Sequence, residues 1–232
     1  MVISGRLYFA TQPGNLYCFS TTAPYKRLWW KYLGGKTTAS PAYDQDGHTI
    51  IISTYKGTVW AFDAAHGTLR WRSKALGNNA QFYGTPAVYG SRVVVASKAN
   101  GKIYCLNRTS GKVLWTYSGV QQGLYASPAV WKSTIYIGTK GGKFLAVDVR
   151  TGKLKWQKTY ASPIFGSATV LNSIVYFSSF PIGAQHGTTY AVDGNDHQKW
   201  SWPDGCYSPV TATSSVILVT GHHTVYAFAP GP

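Results

Sequence analysis

The sequence predicts an all-β protein, a β-propeller of about six four-stranded antiparallel blades in which the first and last blades are incomplete. Three observations predict it. Trp30, Trp71, Trp115, Trp156 and Trp200 recur at spacings of 41, 44, 41 and 44 residues. A second series, Ser40-Pro41, Thr85-Pro86, Ser127-Pro128, Ser167-Ala168 and Ser208-Pro209, keeps the same beat. Within each copy, short alternating apolar runs are separated by Gly, Ser, Asn and Asp, the residues of tight turns. The copies fall at about 1–36, 37–79, 80–122, 123–162, 163–204 and 205–232, and the whole of 1–232 is expected to form a single propeller domain.

The fourth copy shows the elements in order. Its runs Ala126 to Val130, Thr134 to Gly138, Lys143 to Val147 and Lys153 to Lys158 are read as strands A to D. The C–D hairpin closes through Asp148, whose carboxylate accepts nearby N–H groups, and Gly152, which supplies positive φ. Strand D alternates, with Leu154 and Trp156 expected inward and Lys153, Lys155 and Gln157 outward. One indole per copy (Trp30, Trp71, Trp115, Trp156, Trp200) is expected to dock each blade on its neighbour. Cys18 and Cys105 stand where other copies carry Ala61, Ala146, Ala191 and Ala227, a small apolar slot, while Cys206 falls in a connecting loop. The first copy starts at Val2, near the end of a strand A, and is expected to supply only B, C and D; the sixth, Tyr207 to Ala229, supplies A, B and C. Unpaired edges at that seam would invite a partner chain or self-association.

The pattern S-P-x-V, then Y-A-x-D, then T-G-x-x-x-W resembles the pyrroloquinoline-quinone-type propeller repeat, shared by quinoprotein alcohol dehydrogenases and the outer-membrane assembly lipoprotein BamB. Asp63 to Trp71, Asn107 to Trp115 and Asp148 to Trp156 match it best. The resemblance implies an extracytoplasmic, periplasmic or secreted setting, although residues 1–10 have no signal-peptide pattern. For a quinoprotein enzyme it also implies a disulfide ring of adjacent cysteines, calcium held by Glu, Asn and Asp, and an Asp base. This sequence has no Glu and no adjacent cysteines, so neither a cofactor nor catalysis is expected.

Strand parity sorts the loops onto two faces. Face two, with the A–B and C–D turns, receives Asp44, Asp46, Asp63, Asp148, Asp193 and Asp196; face one, with the B–C turns and D–A crossovers, keeps only Asp204. Asp44-Gln45-Asp46-Gly47 lacks the further ligands of a calcium loop and is read as a hairpin. Face one is basic and aromatic. Lys56, Lys98 and Lys140 occupy equivalent B–C positions, Lys36 joins from a crossover, and Tyr83, Tyr125 and Phe165 precede the A strands. Asn78, Asn79, Gln81, Gln121 and Gln122 add neutral donors and acceptors nearby. This is a candidate ligand-binding rim for an anionic or polyhydroxylated partner, a glycan or a protein.

Of the 22 Lys and Arg behind the net charge of +15, ten lie on or beside D strands, where lysine blocks edge-to-edge pairing. His186, His222 and His223 come from adjacent B–C loops; a metal site there would need a further ligand, and solvated loop histidines are the simpler reading. The loop Ser179 to Gly187 carries Phe180, Pro181 and Ile182 onto face one, where it is a candidate lid. The functional expectation is a non-catalytic binding or scaffolding propeller. A degenerate quinoprotein-dehydrogenase-like domain is the alternative, and nucleic-acid binding through bulk charge a lesser one.

Overall fold

The computed structural model describes residues 1–120, 122–184, 186–213 and 215–229, so Gln121 lies outside the described residues. The chain divides into two compact units, Met1–Gln121 and Gln122–Pro232. The first holds three four-stranded antiparallel meanders: β1–β4 (Val2–Ile3, Arg6–Thr11, Asn15–Ser20, Arg27–Tyr32), β5–β8 (Ala42–Asp44, Thr49–Ser53, Val59–Asp63, Leu69–Arg72) and β9–β12 (Ala87–Tyr89, Arg92–Ala96, Ile103–Asn107, Val113–Tyr117). The second holds β13–β16 (Ala129–Trp131, Thr134–Gly138, Lys143–Asp148, Leu154–Thr159), β17–β20 (Thr169–Leu171, Ile174–Ser179, Thr188–Asp193, Gln198–Trp202) and the three-stranded β21–β23 (Thr211–Ala212, Ile217–Thr220, Val225–Phe228). Among the described residues every element is a strand.

Local chemistry sets the boundaries. β5, β9 and β13 each begin at the residue after a proline, because Pro41, Pro86 and Pro128 have no N–H to give a ladder. Strand A of the fourth copy is therefore Ala129–Trp131 and shorter than the expected Ala126 to Val130. The second strands of the four middle blades are buried on both sides, as in Thr49–Ser53, since each sheet there has two faces to cover. The first blade corrects the sequence reading: Val2 and Ile3 pair with Leu7 and Arg6, so a short strand fills the A position thought to be empty. The last blade has three strands among its described residues, as expected.

A second correction concerns which indole docks. Every C–D ladder shifts register by a bulge, at Cys18/Phe19, Ala61/Phe62, Cys105/Leu106, Ala146/Val147 and Ala191/Val192. One extra residue inverts the alternation beyond it. Leu154, expected inward, is consequently exposed. Past the bulge the slot residue faces the docking indole: Ala61 opposite Trp71, Cys105 opposite Trp115, Ala146 opposite Trp156 and Ala191 opposite Trp200. In the first blade Cys18 faces Trp29, not Trp30. Trp29 is buried, whereas Trp30 is 46% exposed and stacks on Tyr17.

The indoles do more than fill space. Nε1–H of Trp29 donates to Ala64 O at 3.1 Å, that of Trp71 to Arg108 O at 2.7 Å, and that of Trp156 to Gly194 O at 2.7 Å. Each acceptor is the first residue of the C–D turn in the next blade. That turn's glycine then lies under the ring: a Cβ on Gly67 would come within 2.7 Å of Trp29, and one on Gly111 would collide with Trp71. Both glycines also have positive φ, +65° and +67°, so the T-G motif serves turn and contact together.

Candidate functional site

Within each unit, backbone hydrogen bonds join B–C turns to the crossovers that enter their blades. Tyr55 N–H donates to Lys36 O, Lys98 N–H to Gln81 O and Lys140 N–H to Gly123 O, all at 2.8–3.0 Å. In the first unit these loops surround a shallow depression of about 670 Å³ lined by Tyr55, Lys56, Ala75, Gly77, Asn78, Asn79, Ala80 and Gln81. Beside it the Lys98 ammonium sits 4.9 Å from the Tyr55 ring centre and 5.5 Å from that of Tyr83, an aromatic seat that fixes the charge without neutralising it. Tyr55 was missed from the sequence, and its hydroxyl is 3.1 Å from Thr38 Oγ1. Lys36 and Lys56 are exposed, and the stem of Lys56 lies over Gly35. The three carboxylates of this unit all lie on the other face, where Arg108 Nη1 holds both Asp44 and Asp46 at 2.9 and 2.8 Å and Arg70 holds Asp63 at 2.6 Å.

In the second unit Lys140 is exposed and the Gln122 amide lies directly over Gly141. Tyr125 and Phe165 meet edge to face at 5.4 Å, Phe165 meets Tyr207 at 5.5 Å, and Phe180 meets Tyr207 at 4.5 Å. Phe180, expected in a lid, is thus packing, while Ile182 beyond it is 68% exposed. The histidines gather around Asp204. Its Oδ1 lies 3.3 Å from His186 Nδ1 and accepts the His222 N–H at 3.2 Å, and its Oδ2 accepts the Tyr226 hydroxyl at 2.8 Å. The His222 and His223 rings lie 4.1 Å apart and tilted at 58°. Among the described residues no three His, Cys or Asp side chains are grouped so as to hold a metal ion.

Burial by itself would raise the carboxyls of Asp63, Asp148, Asp193 and Asp204, but hydrogen bonds hold all four below the usual carboxylate range. For the first three the donors include the N–H groups of their own turns; for Asp204 they are Tyr226, His186 and the His222 N–H. None of the three cysteines is in a disulfide; burial pushes the Cys105 thiol up to about 12 and raises that of Cys18 as well, so neither forms thiolate readily.

Residues 23–231 match the family model described as outer membrane protein assembly factor BamB. The chain belongs to the BamB family. It is 30% identical over 183 residues to the factor of that name from Nitrosomonas eutropha, across 77% of this chain and 42% of that protein. With the Moranella endobia factor it shares 27% over 235 residues, 93% of this chain and 57% of the other. The chain therefore spans about half the length of the BamB-family relatives it matches. The crystal structure of BamB from Moraxella catarrhalis superposes with a TM-score of 0.80 at 21% identity, over 98% of this chain and 68% of that one, which shows the propeller fold. A more partial likeness, 24% over 136 residues, extends to the quinohemoprotein alcohol dehydrogenase of Comamonas testosteroni, covering 51% of this chain and 19% of that enzyme. The residues here do not fit a quinone and calcium site: both oxygens of the lone face-one acid, Asp204, are already engaged.

Proposed function

We propose that this chain is a non-catalytic binding and scaffolding propeller of outer-membrane protein assembly, working outside the cytoplasm and engaging a partner through its basic, aromatic face-one loops. The observation that carries the non-catalytic reading is the commitment of the carboxylates. The chain has seven acids, all Asp. Asp148 caps its own turn, Asp193 pairs with Lys199 at 3.1 Å, Asp196 accepts the Tyr160 hydroxyl at 3.0 Å, and the other four are held as described above. Groups so engaged, four of them with lowered pKa, are poorly suited to take or give a proton near neutrality. The BamB-family match supports a protein as the partner, and the rim favours an acidic one. In the first unit Lys36, Lys56 and Lys98 stand on loops opposite the turns that carry Asp44, Asp46 and Asp63, an arrangement that favours an incoming acidic segment on the lysine side.

The test compares two sets of equal charge. Replacing Lys56, Lys98 and Lys140 by Ala should weaken binding of fluorescent polyglutamate several-fold more than replacing Lys112, Lys153 and Lys155, and the difference should shrink with added salt as screening shortens to about 8–10 Å. Equal losses in the two variants would mean bulk charge alone attracts the polymer and would remove the rim as a site.

A further inference from the structure

The crossover from the second blade to the third carries more chain than the one before it in the same unit. Trp71 and Pro86 stand 15 residues apart, whereas Trp29 and Pro41 stand 12 apart. The added length forms an arch, Gly77-Asn78-Asn79, pinned at both feet. Leu76 is buried and its N–H donates to Gly57 O at 2.8 Å, Ala80 is buried against Gly57, and the Gln81 N–H donates to Ser97 Oγ at 3.1 Å. The crown is held as well, because Asn100 Nδ2 donates to Asn78 O at 3.3 Å and to the Tyr104 hydroxyl at 2.9 Å. Asn79 has a φ of +58°, in the left-handed region that asparagine tolerates better than most residues. Turn chemistry thus accounts for the backbone of the arch. It does not account for three side-chain amides.

Those amides are what the depression offers a ligand. Asn78 and Asn79 are exposed and Gln81 is half-buried; all three line the hollow beside Lys56. None of their side-chain amides has a hydrogen-bond partner among the described residues. Asn100 and Asn107 show the contrast, since their side chains are engaged by Tyr104 and by the N–H and hydroxyl groups of Thr109 and Ser110. No lining residue is acidic, Lys56 stands in the wall with Lys98 beside it, and about 670 Å³ is in the range of natural ligand sites.

We propose that this depression binds an extended acidic peptide segment: Lys56 and Lys98 take a side-chain carboxylate, and the amides of Asn78, Asn79 and Gln81 bond to the peptide groups flanking it. The inference rests on the rim being the face for an acidic partner, and adds which polyanion the rim selects. A side-chain amide carries a carbonyl acceptor and two N–H donors in one plane, the complement of a peptide group's own N–H and C=O, so it recognises main chain whatever the sequence. Phosphate and sulfate polymers offer acceptors alone and leave the amide oxygens to water. A saccharide acid gains by stacking on an open ring, and the Lys98 ammonium already stands over the rings of Tyr55 and Tyr83. Lysine supplies an attraction that salt screens, whereas the neutral amides supply a selectivity that salt leaves in place.

The probe is fluorescein-labelled hexaglutamate blocked at both ends, so that every carboxylate is a side chain; labelled polyacrylate of equal charge is the polyanion without peptide groups. Binding is read by fluorescence anisotropy for the wild-type chain, for Asn78→Ala with Gln81→Ala, and for Lys56, Lys98 and Lys140 replaced together by Ala. The amide variant changes no charge and keeps the main-chain bonds of Gln81, so its melting temperature should match the wild type. The expected result is about tenfold weaker hexaglutamate binding in the amide variant, the effect of two neutral hydrogen bonds, with polyacrylate binding unchanged. If the double variant melts early, Asn78→Ala alone, at the exposed crown, should still show about a threefold loss confined to the peptide. Undiminished hexaglutamate binding in the amide variants, or an equal loss of both polymers, overturns the peptide seat; the lysine variant then decides the rim by itself. Lysine replacements without effect overturn rim and seat together. Tighter, amide-dependent binding of an oligogalacturonate would assign the depression to a saccharide acid and overturn the inference.

Discussion

Two junctions between successive blades, one in each unit, carry the same residue and hold it differently. Between the second and third blades Trp71 is buried, donates to Arg108 O at 2.7 Å and lies against Gly111. Between the fifth and sixth, Trp200 is half-buried and meets Phe228 edge to face at 5.1 Å, with no C–D turn beyond it among the described residues to take its N–H. The sequence repeat places the indole, but the turn of the following blade decides whether that indole is clamped or only covered.

The largest test of that difference is truncation. Trp71→Ala should cost about 3–5 kcal/mol in urea denaturation, the range for a buried aromatic removed from a core. Trp200→Ala should cost about 2 kcal/mol, an area term without a lost hydrogen bond. Equal losses would show that the clamp adds nothing. A finer test separates the turn's φ from its contact with the ring. Gly111→Ala should cost about 2–4 kcal/mol, because a left-handed backbone and a displaced indole add. Gly90 shares the positive φ, +52°, but has open space around it, so Gly90→Ala should cost only about 1–2 kcal/mol. The smallest effect belongs to Trp30. As a mostly exposed residue it should give about 0.5 kcal/mol or less on replacement by Ala, while Trp29→Ala behaves like Trp71→Ala. A large loss at Trp30 would restore the register expected from the sequence and undo the one observed.

Much of the fold was legible because its signals are local. Alternating runs gave the second and third strands, the Ser/Thr-Pro beat marked the approach to β5, β9 and β13, and strand parity put Lys56, Lys98 and Lys140 on equivalent B–C turns with Lys36 on a crossover. The bulges were not legible, since a single inserted residue leaves the composition of the strand unchanged while inverting its faces; hence Leu154 turned outward. Trp29 could have been found. The slot residue precedes its Trp by ten residues in three copies, and from Cys18 that spacing falls nearer Trp29 than Trp30. At the site, parity isolated Asp204 on face one but could not supply Tyr226, which reaches it from β23, 22 residues away, or His186, from a loop 18 residues away. The seat of Lys98 over Tyr55 and Tyr83 escaped for a related reason: spacing assigns a face, whereas side-chain rotamers decide which ring meets the charge.

The bonds from the docking indoles of Trp29, Trp71 and Trp156 to the next turn end on main-chain oxygens, supplied by Ala64, Arg108 and Gly194. A junction addressed to the backbone does not read the side chain at the receiving position. Blades built this way are exchangeable parts: one with a Trp at the end of its row can precede any other whose turn offers a carbonyl and a glycine. Duplication, loss or transplantation of a single copy then leaves the joints on either side chemically intact. Loop residues such as Lys98 or Asp204 are free to diverge from copy to copy while the joints between copies stay the same.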